Sequence, residues 1–291
     1  MTAELPALAA AVVLFSALLH ATWNLLLSKV PRGLDTTAVA LVIGLVAWTP
    51  IALARWRVEP AVWPYVLTSG ALELIYFAAL TLAYSKAPAH AVYPVARGLA
   101  PTLLLPVVAL GGGRIAPIAG IGVLAVTCGV LLTARGETDR RSVLYAVPVA
   151  LCIAGYTYVD ALGLRHADPA PYLWLTMVIT ATALVAARVV RGRGVGPLRA
   201  QLRRSTFVLG VGVYAAYGLT LVALSMVSVA QAPAVAALRE TSILFLLGLS
   251  WLAGRRASGG DPELAVPARP TASTAAGAVL VLGGVAVLAF V

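Results

Sequence analysis

The stretch from Ala91 to Leu110, AVYPVARGLAPTLLLPVVAL, runs twenty residues with a single charge, Arg97. An α-helix rises 1.5 Å per residue, so about 20 apolar residues cross the roughly 30 Å of hydrocarbon in a bilayer. The segment therefore reads as a membrane-spanning helix with a guanidinium inside it. Working outward, Ala7–Leu27, Thr36–Ala54 and Trp63–Ser85 precede it as further apolar runs of near-spanning length. Ile115–Ala134, Val143–Leu164, Pro171–Ala187, Ser205–Val227, Ala232–Leu252 and Thr271–Val291 follow it. Only helices or closed barrels satisfy the backbone in lipid, and none of these runs has the two-residue alternation of a barrel strand. The expected fold class is an all-α integral membrane protein with ten transmembrane helices.

Composition excludes most other classes. Of 291 residues, 61% are hydrophobic and 11% charged, with mean hydropathy +0.94, whereas soluble domains carry about 25% charged residues. Ten crossings take about 200 residues and leave about 90 for loops and ends, too few for a substantial extramembrane domain. The net charge of +10 would suggest nucleic acid in a soluble chain. Here the basic residues sit in short gaps between apolar runs, so the expected partners are the lipid bilayer and a small-molecule substrate, with no nucleic acid. Cys128 and Cys152 lie inside apolar runs and behave as small hydrophobes. No Cys/His spacing of metal-site type occurs, and neither metal nor other cofactor is expected. Met1 to Leu5 lacks the positive start of a signal peptide, and the run behind it reads as the first span.

The basic loop residues sort by side. Fifteen fall in odd-numbered gaps: Lys29, Arg32, Lys86, Arg135, Arg140, Arg141, Arg188, Arg191, Arg193, Arg199, Arg203, Arg204, Arg255, Arg256 and Arg269. Four fall in even gaps: Arg55, Arg57, Arg114 and Arg165. Positive loops stay in the cytoplasm, which predicts a multi-pass protein of the cell (inner, cytoplasmic) membrane with both termini outside.

The two basic residues left over, Arg97 and Arg239, lie within spans. Ala96-Arg97-Gly98 in the fourth span aligns with Leu238-Arg239-Glu240 in the ninth, and Arg114 with Arg256 at the same 142-residue offset. Ala21-Thr22-Trp23-Asn24 in the first span matches Gly155-Tyr156-Thr157-Tyr158 in the sixth in character, at a slightly shorter offset. The chain thus reads as two five-helix repeats, residues 1–137 and 138–291, joined near Glu137–Arg141. Five is odd, so the second repeat enters the membrane inverted relative to the first. Inverted repeats underlie many secondary transporters, with substrate near the midplane between halves.

A charge at a span centre costs roughly 2.5–3.5 kcal/mol on insertion scales, so such residues are expected to face the bundle interior and are functional candidates. Helical spacing puts several on common faces: His20, Trp23 and Asn24 on the first span; Glu73 and Tyr76 on the third; Tyr93 and Arg97 on the fourth. Tyr156 and Asp160 share a face on the sixth, Tyr214 and Tyr217 on the eighth, and Arg239 and Ser242 on the ninth, with Glu240 beside them. The functional reading is an aromatic-lined central cavity. In it Arg97 or Arg239 holds a carboxylate or phosphonate through a forked pair of hydrogen bonds, while Glu73, Glu240 or His20 binds a coupling proton or faces an ammonium. The alternative is internal ion pairing, Arg97 with Glu73 or Arg239 with Glu240, that pins helices without touching substrate. Asp160 lies toward the outer end of its span, where a cap or loop contact competes with a cavity role. Trp48, Trp56, Trp63 and Trp174 read as interfacial anchors. Pro94, Pro101, Pro106 and Pro148 are expected to kink their helices.

Three of these segments resemble a known family. His20-Ala21-Thr22-Trp23-Asn24, Tyr93-Pro94-Val95-Ala96-Arg97-Gly98 and the ninth-span run from Ala236 to Phe245 resemble EamA-type members of the drug/metabolite transporter superfamily, over essentially the whole chain. The resemblance implies a basket of ten helices in two inverted halves carrying small metabolites, often as an exporter driven by proton exchange or the substrate gradient. Many members end their fourth and ninth spans with Glu-Arg; Gly113-Arg114 and Arg255-Arg256 keep the arginine without the acid, so no role resting on that glutamate carries over. The leading expectation is a secondary transporter of a small polar metabolite such as an amino acid or another carboxylate or phosphonate compound, acting as monomer or homodimer, with protons as the candidate coupling ion. Efflux of lipophilic cations or drugs, keyed by Glu73, is the alternative substrate class; a lipid flippase or a scaffold is the alternative role. An enzyme is not expected: Ser250 after Gly248-Leu249, with His20, lacks an oxyanion-hole motif. Gly210, Gly212 and Gly218 follow no strand and make no nucleotide loop.

Overall fold

The computed structural model describes residues 5–26, 34–87, 89–133, 139–190, 196–254 and 271–289. The described chain is helical apart from short connections. The helices are α1 (Ala7–Leu26), α2 (Leu34–Ala54), α3 (Trp63–Lys86), α4 (Ala89–Leu110), α5 (Pro117–Thr133), α6 (Arg140–Gly163) and α7 (Pro169–Arg188). They continue with the short α8 (Gly196–Arg199), then α9 (Arg204–Ser225), α10 (Ala232–Arg239), α11 (Ser242–Gly254) and α12 (Ala272–Ala289). Among the described residues eight helical spans are long and apolar enough to cross a membrane, counting Val229–Leu252 as one, and Ala7–Thr22 and Pro117–Thr133 are shorter apolar helices.

Side chains are distributed inside out relative to a soluble protein. Leu8, Phe15, Val46, Leu53, Leu67, Ile121, Leu144 and Val279 are exposed on the outer faces of their helices. Ser69, Glu73, Arg97, Asp160 and Glu240 are buried among them. Water would punish that arrangement twice, by exposed apolar area and by buried charge; hydrocarbon outside removes the first cost, and pairing inside offsets the second. These long apolar helices are those of a multi-pass membrane protein.

Local chemistry sets several helix ends. Asp139 caps α6 by accepting the Ser142 backbone N–H at 2.8 Å, and hydrogen bonding from the Ser142 side chain and then its backbone holds the Asp139 carboxyl below its ordinary range. Pro169 opens α7, where a missing N–H costs nothing. Gly112, with φ of +84°, turns the chain out of α4. The loops before α3 and before α7 are stitched together by a Val58–Ala167 bridge, with Glu59 N donating to His166 O at 2.8 Å and Asp168 N to Arg57 O at 2.9 Å.

Helix pairing follows the small residues. α5 packs on α12, with Gly122 against Gly284 and Gly129 against Gly277, so the two run antiparallel. α2 and α7 also run antiparallel: Asp35 at the start of α2 pairs with Arg188 at the end of α7, while Trp48 Nε1 donates to Ala170 O at 3.1 Å near the opposite ends. α3 and α4 pack on α6, and α9, α10 and α11 pack on α1. A Cβ added at Gly129 would sit 2.6 Å from the Gly277 carbonyl oxygen, so Gly129→Leu must push two backbones apart. The expected loss is about 1–3 kcal/mol, the usual cost of overpacking, read as a lower apparent Tm in detergent.

α4 runs unbroken through Pro94, Pro101 and Pro106, and α6 through Pro148. An interruption falls in the ninth span, at Glu240–Thr241, where no proline stands. There Glu240 N bonds to Ala237 O, Thr241 N to Leu238 O and Ile243 N to Glu240 O in tight three-residue steps, and Thr241 Oγ1 takes up the Leu238 carbonyl at 2.7 Å. Trp48 and Trp174, read as interfacial anchors, direct their N–H groups into the protein, the latter to Thr49 Oγ1 at 3.0 Å.

Candidate functional site

The break after α10 releases Glu240 from a helical row and turns its carboxylate onto Arg97 of α4. Arg97 Nε donates to Glu240 Oε2 at 3.0 Å, and Nη2 lies 3.0 Å from Oε1. The second contact is close but poorly aligned, for Nη2 makes no hydrogen bond, so it is an electrostatic contact only. Both residues are nearly sealed, at 5% and 3% exposure. The Arg97 guanidinium also lies 5.9 Å from the centre of the Tyr93 ring, and Tyr93 OH is 3.3 Å from His20 Nε2. Neither ion pair considered from the sequence forms: Arg97 bonds to Glu240, not to Glu73, and Arg239 does not pair with Glu240 although it is adjacent in the chain.

Arg239 makes no ion pair with a described residue. Its guanidinium sits over the Tyr217 ring, 5.5 Å from the centroid, with Nε buried and without a hydrogen-bond partner. The residue is only half-buried as a whole. Ser242 Oγ, one turn on, is likewise buried and unpartnered. An arginine on an aromatic face, with donors uncommitted, is suited to receiving a carboxylate or phosphonate.

Tyr217 joins this arginine to a second cluster. Its hydroxyl donates to Asp160 Oδ2. Asp160 Oδ1 accepts from Ser69 Oγ at 2.5 Å and from Tyr172 OH at 3.0 Å. Glu73, one turn beyond Ser69 on α3, accepts from Thr180 Oγ1 at 3.2 Å through Oε2, while Oε1 is buried without a partner. Tyr156 stands edge-on to Tyr217 and to Tyr76, each with centroids 6.0 Å apart. Tyr76, Tyr156, Tyr217 and Arg239 thus form a continuous aromatic–cation row, with the acids of α3 and α6 behind it.

The structure brings together Arg97, Glu240, Tyr93 and His20 in one group, and Glu73, Tyr76, Tyr156, Tyr217 and Arg239 in another. Tyr214 turns elsewhere: its hydroxyl donates to Leu41 O at 2.9 Å and its ring packs near Trp48. Trp23 and Asn24 have side chains outside the described residues. Sequence reading undervalued Asp160, which is fully buried and takes three hydroxyl donors, and passed over Ser69, Tyr172 and Thr180. A signal existed for Ser69, which stands four residues before Glu73 on the same helical face.

No family model matches the chain, and no curated protein matches it. Among solved structures 26 chains match. One of them, described only as "Crystal structure of protein", shares 20% identity over 96% of this chain and 95% of that chain, with a TM-score of 0.73. That likeness establishes a shared fold over nearly the full length of both chains.

Proposed function

We propose that this protein is a secondary transporter of the EamA type, carrying a small polar metabolite with a carboxylate or phosphonate group by alternating access between two inverted five-helix halves. The pairing of helices supports inversion. Equivalent helices α5 and α12 run antiparallel, as do α2 and α7. The packing of α3 and α4 on α6 is mirrored by that of α9 and of α10–α11 on α1, as exchange of halves requires. The break at Glu240 lies in the ninth span, and discontinuous helices are where carriers of this design place their sites.

The observation that carries the substrate class is the contrast between the two guanidiniums. Arg97 is neutralised by Glu240, whereas Arg239 presents uncommitted donors on an aromatic face. The test is uptake of a metabolite panel by proteoliposomes, with and without an imposed pH gradient. Uptake of anionic or zwitterionic metabolites that fails in Arg239→Ala supports the reading. Uptake confined to lipophilic cations, insensitive to Arg239 and lost in Glu73→Gln, would replace it with drug efflux.

A further inference from the structure

The central cluster holds three carboxyl groups, Glu73, Asp160 and Glu240, against two guanidiniums, Arg97 and Arg239. Arg97 is bonded to Glu240. Asp160 has three hydroxyl donors and the field of Arg239 across the Tyr217 ring. Glu73 is left over. Its one donor, Thr180 Oγ1, has a single proton and three acceptors in reach: Glu73 Oε2 at 3.2 Å, Thr176 O at 3.3 Å and Gly70 O at 3.4 Å. The titratable groups coupled electrostatically to Glu73 are Asp160 and Tyr156 from α6, Tyr172 from α7, and Tyr217 and Tyr214 from α9, the last with its hydroxyl turned to Leu41 O. From α4, Arg97 reaches Tyr76 on the next turn and is already paired. Among the described residues, none of these coupled groups is a cation. An ionised carboxylate so placed is costly, whereas a carboxyl group is not.

We infer that Glu73 is a proton-binding site, holding one exchangeable proton beside the Asp160 carboxylate. The two acids are neighbours because Ser69, one turn before Glu73 on α3, donates to Asp160 Oδ1 at 2.5 Å. Tyr217 OH is committed to Asp160, and the buried, unpartnered Glu73 Oε1 is the oxygen left to carry the proton. Loading takes a proton from hydronium to give carboxyl and water, and release on the other side reverses it. The same Tyr217 ring carries Arg239. An anion on Arg239 offsets the positive charge next to Asp160, which makes the Glu73 proton more favourable, so anion and proton bind together and cross together. Only this last step rests on the transporter reading.

Infrared spectroscopy of the full-length protein in phosphatidylcholine vesicles tests the site without substrate. A carboxyl C=O band that titrates with pH but exchanges slowly with deuterium is expected. It should move when glutamate carries a heavy-isotope carboxyl carbon, disappear in Glu73→Gln, shift in Glu73→Asp and persist in the exposed-site control Glu59→Gln. Absence of a slowly exchanging band, its insensitivity to glutamate labelling, or its survival in Glu73→Gln with loss in Asp160→Asn would each overturn the inference. Proteoliposome uptake read alongside separates the two ideas. A band without uptake leaves the proton site standing and removes the carrier; uptake without the band does the reverse.

Discussion

Replacing Arg97 with alanine is expected to destabilise the protein by about 3–5 kcal/mol, because breaking a buried pair leaves an uncompensated charge. Glu240, at 3% exposure, would lose its strongest donor and its ion-pair partner. The same reasoning makes a counterintuitive second variant informative. Replacing both partners with methionine, Arg97→Met with Glu240→Met, removes both charges at similar volume, and such exchanges are often neutral or stabilising by about 1–4 kcal/mol. The apparent Tm in detergent should therefore fall sharply in Arg97→Ala and in Glu240→Ala, and return toward the parent value in the double methionine variant. Equal melting of all four proteins would mean that water reaches the pair and that it does not hold α4 to α10.

The second large effect is on transport alone. Arg239→Ala should lower uptake by roughly 30-fold or more, the consequence of truncating one partner of a desolvated, hydrogen-bonded charge pair at about 2–5 kcal/mol. Its apparent Tm should stay near that of the parent, since the side chain is half-buried and forms no ion pair within the described chain. Arg239→Lys keeps the charge but loses the fork and should fall between the two. Initial rates in proteoliposomes, normalised to reconstituted protein, decide the matter. Wild-type uptake by Arg239→Ala, with uptake abolished by a folded Arg97 variant, would move the anion site to the other half.

Much of this was legible before the fold was known. Apolar runs located the helices to within about three residues at most ends, since a span must be about 20 residues long whatever its neighbours are. The ninth span was the exception: nothing in Leu238-Arg239-Glu240-Thr241 announces a break, and the partner that Glu240 meets there, Arg97, lies 143 residues away. Helical spacing likewise placed Tyr93 with Arg97 and Glu73 with Tyr76, because these pairings lie within one helix. It did not reveal that Asp160 is held by Ser69 and Tyr217, 91 and 57 residues away. Position along a span suggested an outer cap; the depth of Asp160 is set by α3, α7 and α9 closing over it. The helix of α4 continues through three prolines, as membrane bundles allow where neighbouring groups re-satisfy the freed carbonyls, while its counterpart is broken at a residue no proline marks.

The central claim is that Arg239 lines a wet chamber between the halves, and its most direct measurement is chemical access at that position. On a background carrying Cys128→Ser and Cys152→Ser, Arg239→Cys in proteoliposomes is treated with a charged, membrane-impermeant thiol reagent, beside Glu59→Cys as exposed reference and Val13→Cys, at a fully buried position, as sealed reference. The account predicts that Arg239→Cys reacts nearly as fast as the exposed reference. Reaction as slow as at Val13→Cys would contradict it.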